Sequence, residues 1–313
     1  MRILVTGAFG YVGGRVAHAL NEAGHTVLLG TRQDAAPPEW LPRAHVVRLH
    51  WHDRAALEES CRGIDAVVHA AGMNAQDCAT DPVAALEFNG VATARLVAAA
   101  VRAGVKRVVY FSTAHVYASS LEGTITEQTC PTNLHPYATS HLAGEQAVLQ
   151  AAQHGAIHGT VFRLSNAFGA PMGHGPNCWM LLVNDLCRQA VTTGELVLRT
   201  AGLQVRDFVT LEDVARAVLH VLPVGSDSPG DGLFNLGGGD ARSILSMTKS
   251  VADRWKSLTG QSLPIVRPAP VGPAPAALTY SSDKLLGTGF SLSSRWSQEI
   301  DATLSLCRSV FAR

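Results

Sequence analysis

The chain has 313 residues, enough for one large domain or two closely joined domains with a sizeable core. Its composition, 47% apolar and 16% charged, is typical of a globular α/β protein and excludes a disordered one. The 25 basic and 25 acidic side chains cancel. No overall positive field therefore attracts nucleic acid or an anionic membrane, and local groups must bind any anionic ligand.

Cysteine and histidine usage argues against a disulfide framework or a metal site. The six cysteines show no CxxC pair, which favours reduced thiols in a cytoplasmic protein. The thirteen histidines are interpreted as scattered surface and loop residues, so we expect no metal. The first residues, "MRILVTG", indicate a buried strand that is too short for a signal peptide or membrane span.

Short apolar runs alternate with Ala-rich stretches in the first half of the chain. Six runs predict strands: "RILVTG", "HTVLLGT", "AHVVRLH", "IDAVVHAAG", "KRVVYFST" and "GTVFRLSN". Helical periodicity followed by a glycine predicts helices at Val12–Ala23, Arg54–Arg62, Pro82–Ala103 and Tyr137–Gln153. Strands that are apolar on both faces belong to a parallel sheet covered by helices on each side. The repeated β-α order therefore predicts an α/β fold with a doubly wound parallel (Rossmann) sheet.

The regular pattern ends near residue 165. Loop-rich segments follow, among them "GSDSPGDG" and the Pro/Ala stretch 264–277, which we interpret as an ordered surface connection. Helices are predicted near 176–193, 211–222 and 243–259. We expect a smaller, irregular C-terminal cap over the C-terminal ends of the strands, where open α/β sheets bind ligands. The predicted division is a dinucleotide-binding domain at 1–165, to which 205–236 returns, and a substrate-binding region at 166–204 and 237–313.

A glycine-rich turn follows the first strand. In "VTGAFGYVGG", Gly7 permits a tight turn, Gly10 lets the backbone approach a pyrophosphate, and Gly13 allows close packing of helix and strand. The N–H groups and dipole at the start of the helix then hold the anion. This arrangement predicts dinucleotide binding.

The GxxGxxG spacing resembles the extended branch of the short-chain dehydrogenase/reductase superfamily, which contains nucleotide-sugar epimerases, dehydratases and reductases. The resemblance runs along essentially the whole chain and is specific for the branch, not for one enzyme. Further matching motifs are "HAAG", "FNGVAT", "FSTAHVYA", "PYATSH", "RLSNAFGAP", "VRDFVTLEDVARA", "FNLGGG" and "SDKLLGTGF". Helices Pro82–Ala103 and Tyr137–Gln153 have Ala-rich faces similar to the four-helix dimer interface of the family, which implies a homodimer.

The resemblance implies a nicotinamide cofactor, and the second strand bears on which one. NAD enzymes generally carry an acidic residue after this strand, whereas here Thr31 and Arg32 follow Gly30. An arginine and a hydroxyl attract a 2′-phosphate, so NADP is favoured over NAD; alternatively, Arg32 covers only the adenine face. His50 stands where relatives often place an aspartate, and Asp53 is predicted to be a helix N-cap. The implied cofactor-binding residues are Gly7, Phe9, Gly10, Tyr11, Val12, Gly13, Thr31, Arg32, His50, Trp51, Ala70, Ala71, Gly72, Asn89, Ser112, Tyr137, His141 and Ser165.

The same resemblance implies a catalytic group of Thr113, Tyr137 and His141. In the superfamily a Tyr is the general acid/base, a Ser or Thr orients the substrate oxygen, and a Lys four residues after the Tyr binds the nicotinamide ribose and lowers the pKa of the Tyr. Here His141 replaces that lysine, and an ordinary histidine is only partly charged at neutral pH. Three interpretations stay open. His141 serves in a working but differently tuned site, which we favour; another cation such as Arg163, or a dipole, activates Tyr137; or the protein binds cofactor without redox catalysis.

Motifs around the site limit the reaction and the substrate. Hexose 4,6-dehydratases carry Asp-Glu where this chain has Ala114-His115, which argues against dehydration. Reduction of a 4-keto sugar and C4 epimerisation of a nucleotide-activated sugar both remain open. Non-catalytic regulation and reduction of a non-nucleotide carbonyl compound are the alternatives. The implied substrate-binding residues are Thr113, Asn166, Arg199, Arg206 and Arg267.

Two of these substrate assignments have competing interpretations. An internal ion pair between Arg206 and Asp207 would leave the arginine unavailable to substrate, and Asn166 could be a turn residue. Arg267 lacks the Gly-Asp that usually follows it in relatives, which weakens the nucleotide-sugar assignment.

Overall fold

The computed structural model describes residues 1–223, 231–272 and 276–312, and its centre is a seven-stranded parallel sheet. The strands are β1 (Arg2–Thr6), β2 (Thr26–Thr31), β3 (His45–Arg48), β4 (Ala66–His69), β5 (Arg107–Thr113), β6 (Gly123–Ile125), β7 (His158–Leu164), β8 (Asn166–Phe168), β9 (Leu196–Val197), β10 (Val205–Arg206), β11 (Phe208–Thr210), β12 (Leu233–Leu236), β13 (Arg242–Ser243), β14 (Ile265–Val266) and β15 (Leu278–Tyr280). The α-helices are α1 (Tyr11–Glu22), α2 (Arg54–Ser60), α3 (Ala75–Thr80), α4 (Pro82–Ala85), α5 (Ala92–Ala103), α6 (Pro136–Gln153), α7 (Leu182–Thr192), α8 (Leu211–Val221), α9 (Ile244–Thr259), α10 (Asp283–Leu286) and α11 (Trp296–Phe311).

The strand order of the large sheet is β12-β7-β5-β4-β1-β2-β3, and every neighbouring pair is parallel. The order reverses between β1 and β4, which opens a crevice at the carboxyl ends of these strands. The doubly wound fold and all six predicted strands are confirmed. β12 is a seventh strand that the six predicted strands did not include.

Alternate residues of the strands enter two separate cores. On β1, Ile3 and Val5 pack with α1 and α8, whereas Leu4 packs with α5 and α6 on the opposite face. Because both faces are covered, these strands are apolar throughout. The continuous apolar runs in the sequence are a direct consequence of this packing.

The predicted helix Pro82–Ala103 contains a change of helix type. A π-helical segment, Leu86–Val91, separates α4 from α5. Its Gly90 lies against α6, where an added Cβ would stand 3.1 Å from the Cβ of Ala143. Among the described residues, Pro82–Ala103 is the one helical stretch with the length and apolar composition of a membrane span, and half of its most apolar window is buried in the fold.

The C-terminal cap has its own core. Helices α7, α9 and α11 pack around Phe168 and Phe208, which belong to β8 and β11. α11 was not predicted from the sequence, although it supplies Ile300 and Leu304 to this core. Glu299 of α11 is buried and forms an ion pair with Arg15 of α1, so the cap is fastened to the helix that follows the glycine turn.

The remaining predicted elements agree with the structure apart from their ends. The helix predicted near 176–193 begins only at Leu182, whereas α8 and α9 match within one residue. Asp53 is the predicted N-cap of α2, since its carboxylate accepts a hydrogen bond from the Ala56 N–H. In the Pro/Ala stretch the structure describes β14 and irregular chain up to residue 272, and residues 273–275 lie outside the described residues, as do 225–230 of "GSDSPGDG".

Candidate active site

The glycine turn after β1 has the geometry of a pyrophosphate cradle. Gly7 has a φ of +67°, and an added Cβ would stand 2.7 Å from the Ala70 carbonyl oxygen and the Ala71 nitrogen. A Cβ on Gly13 would clash with the Gly7 carbonyl. Helix α1 begins at the next turn with Gly10 as its N-cap and has no acidic residue in its first turn. Its first N–H groups and the positive end of its dipole therefore fit the pyrophosphate of a dinucleotide.

A cavity of about 370 Å³ is lined by the first residues of α1, Tyr11 and Val12, and by the carboxyl ends of β5, β7 and β8. Apolar side chains from the start of α7 cover one side of it. Eight residues of this lining were predicted from the sequence to bind cofactor or substrate or to act in catalysis: Tyr11, Val12, Ser112, Thr113, Tyr137, Ser165, Asn166 and Arg206.

Local sequence explains how α6 presents Tyr137 to the cavity. The ring nitrogen of His135 caps the helix by accepting from the Tyr137 N–H at 3.1 Å, and Pro136 occupies the first helical position. Burial raises the pKa of the Tyr137 phenol, a hydrogen bond with Thr113 opposes that rise, and the nearby Cys78 adds to it. Tyr137 is therefore a protonated phenol at neutral pH, within hydrogen-bonding reach of the Thr113 hydroxyl.

His141 lies one helical turn after Tyr137 and is neutral. The two rings stand edge to face with their centroids 4.6 Å apart. The imidazole is 6% exposed, and burial lowers its pKa to about 4. Its Nδ1 lies 2.8 Å from the hydroxyl of Tyr110, a buried residue of β5 that the sequence interpretation did not include. The side chain at the lysine position thus supplies no positive charge to Tyr137 near neutral pH.

Arg163 does not replace the missing cation. Its guanidinium forms a buried ion pair with Glu145 at 2.7 Å and lies over the ring of Tyr117. The carboxylate of Glu145 also accepts from Ser112. The interpretation that Arg163 activates Tyr137 is therefore wrong for this structure, because its charge is committed to a different contact.

Arg206, a predicted substrate-binding residue, faces the cavity. It donates to Gln204 at 3.1 Å, while Asp207 is buried and accepts from the Gly238 N–H at 2.9 Å. The alternative of an internal Arg206–Asp207 ion pair is therefore wrong. Asn166 lines the same cavity, with its Nδ2 donating to the Asp207 carbonyl at 2.8 Å.

Other predicted residues lie elsewhere or have other contacts. Arg199 and Arg267 are exposed beyond the ends of the paired strands β9 and β14, outside the cavity, and Arg267 donates to the Ala201 carbonyl at 2.9 Å. The indole of Trp51 is in the core, which leaves only its backbone for cofactor contact. Asn89 is 1% exposed: its Oδ1 accepts from Met73 and its Nδ2 donates to Ser140. It holds the loop after β4 against α6, so its influence on the cofactor is indirect.

The remaining predicted cofactor residues lie along the edge of the crevice. Phe9 is partly buried against the α1 core, and Thr31, Arg32 and His50 follow β2 and β3 at the sheet edge. Arg32 and His50 are exposed. Gly72 faces the His141 ring across the loop after β4. In the described part of the chain, no three His, Cys, Asp or Glu side chains are placed to hold a metal ion.

His115 is a further cavity residue, which the sequence analysis used only to argue against dehydration and did not assign to the site. Its N–H donates to the Thr113 hydroxyl at 3.1 Å, and its ring stands 6.4 Å from that of Tyr137, between centroids. Burial and the nearby charges of Arg206 and His135 lower its pKa. Its place next to Thr113 in the motif is the signal that could have identified it.

Comparison with known proteins identifies the family. Residues 3–237 match the model of the NAD dependent epimerase/dehydratase family. The chain belongs to this family.

Relatives within the family act on several nucleotide sugars. This epimerase/dehydratase family member is 30% identical to the UDP-glucose 4-epimerase of Corynebacterium glutamicum, over 91% of this chain and 88% of the relative. It is 31% identical to the dTDP-6-deoxy-L-talose 4-dehydrogenase (NAD(P)(+)) of Kitasatospora kifunensis, over 88% and 84% of the two chains. Among solved structures, MoeE5 in complex with UDP-glucose and NAD has a TM-score of 0.77 at 26% identity, with 99% of each chain covered.

Proposed function

We propose that this protein transfers a hydride between a nicotinamide cofactor and the sugar of a sugar nucleotide, as a 4-keto reductase or a C4 epimerase. The observation that carries the proposal is a cavity lined by Tyr11 and Val12, which directly follow the glycine cradle, with Thr113 and Tyr137 in its wall and Arg206 facing into it. The names of the relatives, which include 4-epimerases and a 4-dehydrogenase, support the same reaction class.

The cofactor and each residue of the site have separate roles in the proposed reaction. The bound nicotinamide supplies or accepts the hydride. Thr113 holds the reacting sugar oxygen, Tyr137 exchanges a proton with it, and His141 hydrogen-bonds the nicotinamide ribose. Arg206 contacts the diphosphate of the sugar nucleotide. The roles of Thr113, Tyr137 and Arg206 follow their positions in the cavity wall, and the role of His141 follows its place one helical turn after Tyr137.

The state of Tyr137 favours reduction over epimerisation. In reduction a hydride adds to the carbonyl carbon while the phenol gives its proton to the carbonyl oxygen. Epimerisation begins with the opposite transfer, in which a phenolate removes the hydroxyl proton. A phenol with a raised pKa beside a neutral His141 is ready for proton donation and poorly prepared for proton removal.

NADP is the cofactor we propose, with Arg32 contacting its 2′-phosphate. No carboxylate stands at the end of β2, and Arg32 is exposed there. Asp34 follows nearby, but its carboxylate pairs with Arg48 at 2.8 Å, which reduces its repulsion of a phosphate. The talose dehydrogenase relative carries NAD(P)(+) in its name, consistent with use of either cofactor in the family.

The proposal also covers the cellular location and the assembly of the protein. The protein works as a cytoplasmic homodimer, and the apolar side chains of Val83, Leu86 and Val91 form part of the dimer interface. These three residues are 69%, 50% and 40% exposed on the stretch that the sequence analysis assigned to the interface. The division into a cofactor domain and a substrate-binding region remains a prediction that accompanies this assignment.

The test is turnover by Tyr137→Phe on an identified substrate. Sugar nucleotides with a 4-keto group are offered with reduced cofactor, and UDP-glucose is offered with oxidised cofactor, so that reduction and epimerisation are scored separately. Tyr137→Phe should abolish turnover and leave cofactor affinity nearly intact. Tyr117→Phe, which removes a buried hydroxyl outside the cavity, is the matched control. Turnover by Tyr137→Phe equal to that of the parent would remove Tyr137 as the acid/base.

The competing functions give different results in the same experiment. Reduction of simple ketones without any preference for sugar nucleotides would support a non-nucleotide substrate, which the outlying positions of Arg199 and Arg267 favour. Cofactor that binds but is never oxidised or reduced would support the regulator, which the neutral His141 favours.

A further inference from the structure

We infer that Tyr110 is a positioning residue: its hydroxyl donates to Nδ1 of His141 and so directs the Nε2–H of a neutral imidazole at the nicotinamide ribose. The inference rests on the proposed function, and it assigns a role to a residue outside the catalytic group of Thr113, Tyr137 and His141. It also explains how a histidine can serve where relatives of this branch use lysine.

The pair is built from two rigid elements. Tyr110 lies in the middle of β5 and is 1% exposed, and His141 lies on α6, whose neighbouring residues pack directly on that strand. The hydroxyl oxygen and Nδ1 are 2.8 Å apart. An added Cβ on Gly144 would stand 2.6 Å from the same hydroxyl, so the helix can approach Tyr110 only because residue 144 is glycine.

Neighbouring hydrogen bonds limit the choice of donor in this pair. The Thr93 hydroxyl gives its proton to the Asn89 carbonyl at 2.6 Å, so its oxygen must accept from Nε2–H of His69 at 2.8 Å. His69 is therefore unprotonated at Nδ1 and accepts there from the Thr6 hydroxyl. Two acceptors then remain for the Tyr110 hydroxyl, the second lone pair of the Thr93 oxygen and Nδ1 of His141, and we assign its proton to Nδ1 because the imidazole nitrogen is the stronger base. The proton of the neutral His141 ring is consequently on Nε2.

The Nε2 side of the ring faces the loop that follows β4. An added Cβ on Gly72 would lie 3.6 Å from Cε1 and 3.8 Å from Nε2 of His141. This loop contains Ala70 and Ala71, which also close over Gly7 of the cradle. The Nε2–H therefore points to the same edge of the sheet as the cradle and Tyr137, where the nicotinamide half of the cofactor would lie.

The surroundings keep this ring neutral. The titratable side chains near it are Tyr110 from β5, His69 from β4, Tyr137 on its own helix and Cys78 from α3, with Glu145 beyond Tyr110. The carboxylate of Glu145 is committed to Arg163. Without a carboxylate partner, a buried imidazole that accepts at Nδ1 acts as a single, oriented donor.

The experiment is a double-mutant cycle on cofactor affinity, measured without substrate. Tyr110→Phe keeps the ring packing and removes the hydroxyl. We expect it to raise the Kd of the reduced cofactor about three- to tenfold, because His141 loses the contact that orients its donor. The Kd of ADP, which lacks the nicotinamide ribose, should not change. In a His141→Ala background, Tyr110→Phe should leave the Kd of the reduced cofactor unchanged, since no imidazole remains to be oriented.

The outcomes separate this inference from the proposed function. An unchanged Kd in Tyr110→Phe, or an equal change in the His141→Ala background, overturns the role of Tyr110 and leaves the proposed function standing. A parent protein that binds no reduced cofactor overturns both. Tyr117→Phe is the control for loss of a buried hydroxyl elsewhere, and it should leave both Kd values unchanged.

A measurement on the parent protein avoids dependence on the folding of the variants. Nitrogen NMR of the His141 imidazole distinguishes a protonated Nε2 from a protonated Nδ1. A proton on Nε2 is expected, and a proton on Nδ1 overturns the inference.

Discussion

Acid destabilisation of the folded protein should be reduced when His141 is replaced by asparagine. The side chain is 6% exposed, and burial lowers its pKa from 6.5 to about 4. Between pH 6.5 and about pH 4 the unfolded chain therefore takes up a proton at this histidine that the folded protein does not. The contribution of His141 to stability is complete above pH 6.5 and is lost as the pH falls towards about 4.

The size of the effect follows from the same two pKa values. The full difference of about 2.5 units corresponds to about 3.4 kcal/mol, at about 1.36 kcal/mol per unit. pH ~5 lies between the two pKa values, so only part of this free energy is lost there. Proton linkage gives a decrease of about 2 kcal/mol in the free energy of unfolding relative to pH ~8. His69, whose pKa is lowered to about 3 by burial and by the neighbouring His141, adds a loss of the same sign in both proteins, and a smaller one in the variant.

Asparagine is the suitable replacement because its Oδ1 can accept the Tyr110 hydroxyl in place of Nδ1 and does not titrate. Urea unfolding of parent and His141→Asn at pH ~8 and pH ~5 gives four free energies of unfolding. The parent should lose about 2 kcal/mol more than the variant between these pH values. Asp207, whose pKa burial raises to about 6, acts in the opposite direction but is present in both proteins and cancels. Equal losses would refute the reasoning, since they would mean that His141 is protonated as easily in the folded protein as in the unfolded chain.

Three other predictions concern charge, cofactor and assembly. His141→Lys should shift the Tyr137-dependent limb of the pH–rate profile to lower pH and preserve or raise turnover, because an ammonium one turn away favours phenolate; an unmoved limb would contradict this. Arg32→Ala should raise the Kd of NADPH about tenfold and leave the Kd of NADH unchanged. Arg43→Ala, at another exposed arginine, is the control. If the parent protein and Arg32→Ala both bind NADH more tightly than NADPH, the assignment of NADP is wrong. Leu86→Lys should convert the dimer to monomers, measured as molecular mass by sedimentation equilibrium, whereas Leu258→Lys on the cap should leave the dimer intact. A parent protein that is monomeric at high concentration would exclude the interface.

The sequence by itself determined the features that depend on neighbours along the chain. The glycine turn, the apolar strands and the Asp53 cap each involve residues within a few positions of one another, so their types and spacing define the structure directly. The i, i+4 spacing of Tyr137 and His141 is local in the same sense, and it correctly predicted that both rings share one face of α6.

Only the tertiary structure decided the contacts between distant segments. β12 joins the sheet beside β7, and α11 enters the cap core, because each finds its apolar partners across more than fifty residues of chain. From the sequence, Arg163 was a candidate cation for Tyr137, but in the fold it forms an ion pair with Glu145. Arg206 forms no ion pair with the adjacent Asp207, whose carboxylate accepts from the Gly238 N–H instead. The charge state of His141 belongs to this group as well. Burial and the hydroxyl of Tyr110, thirty-one residues away, make it a neutral donor, and no local pattern around "YATSH" contains that information.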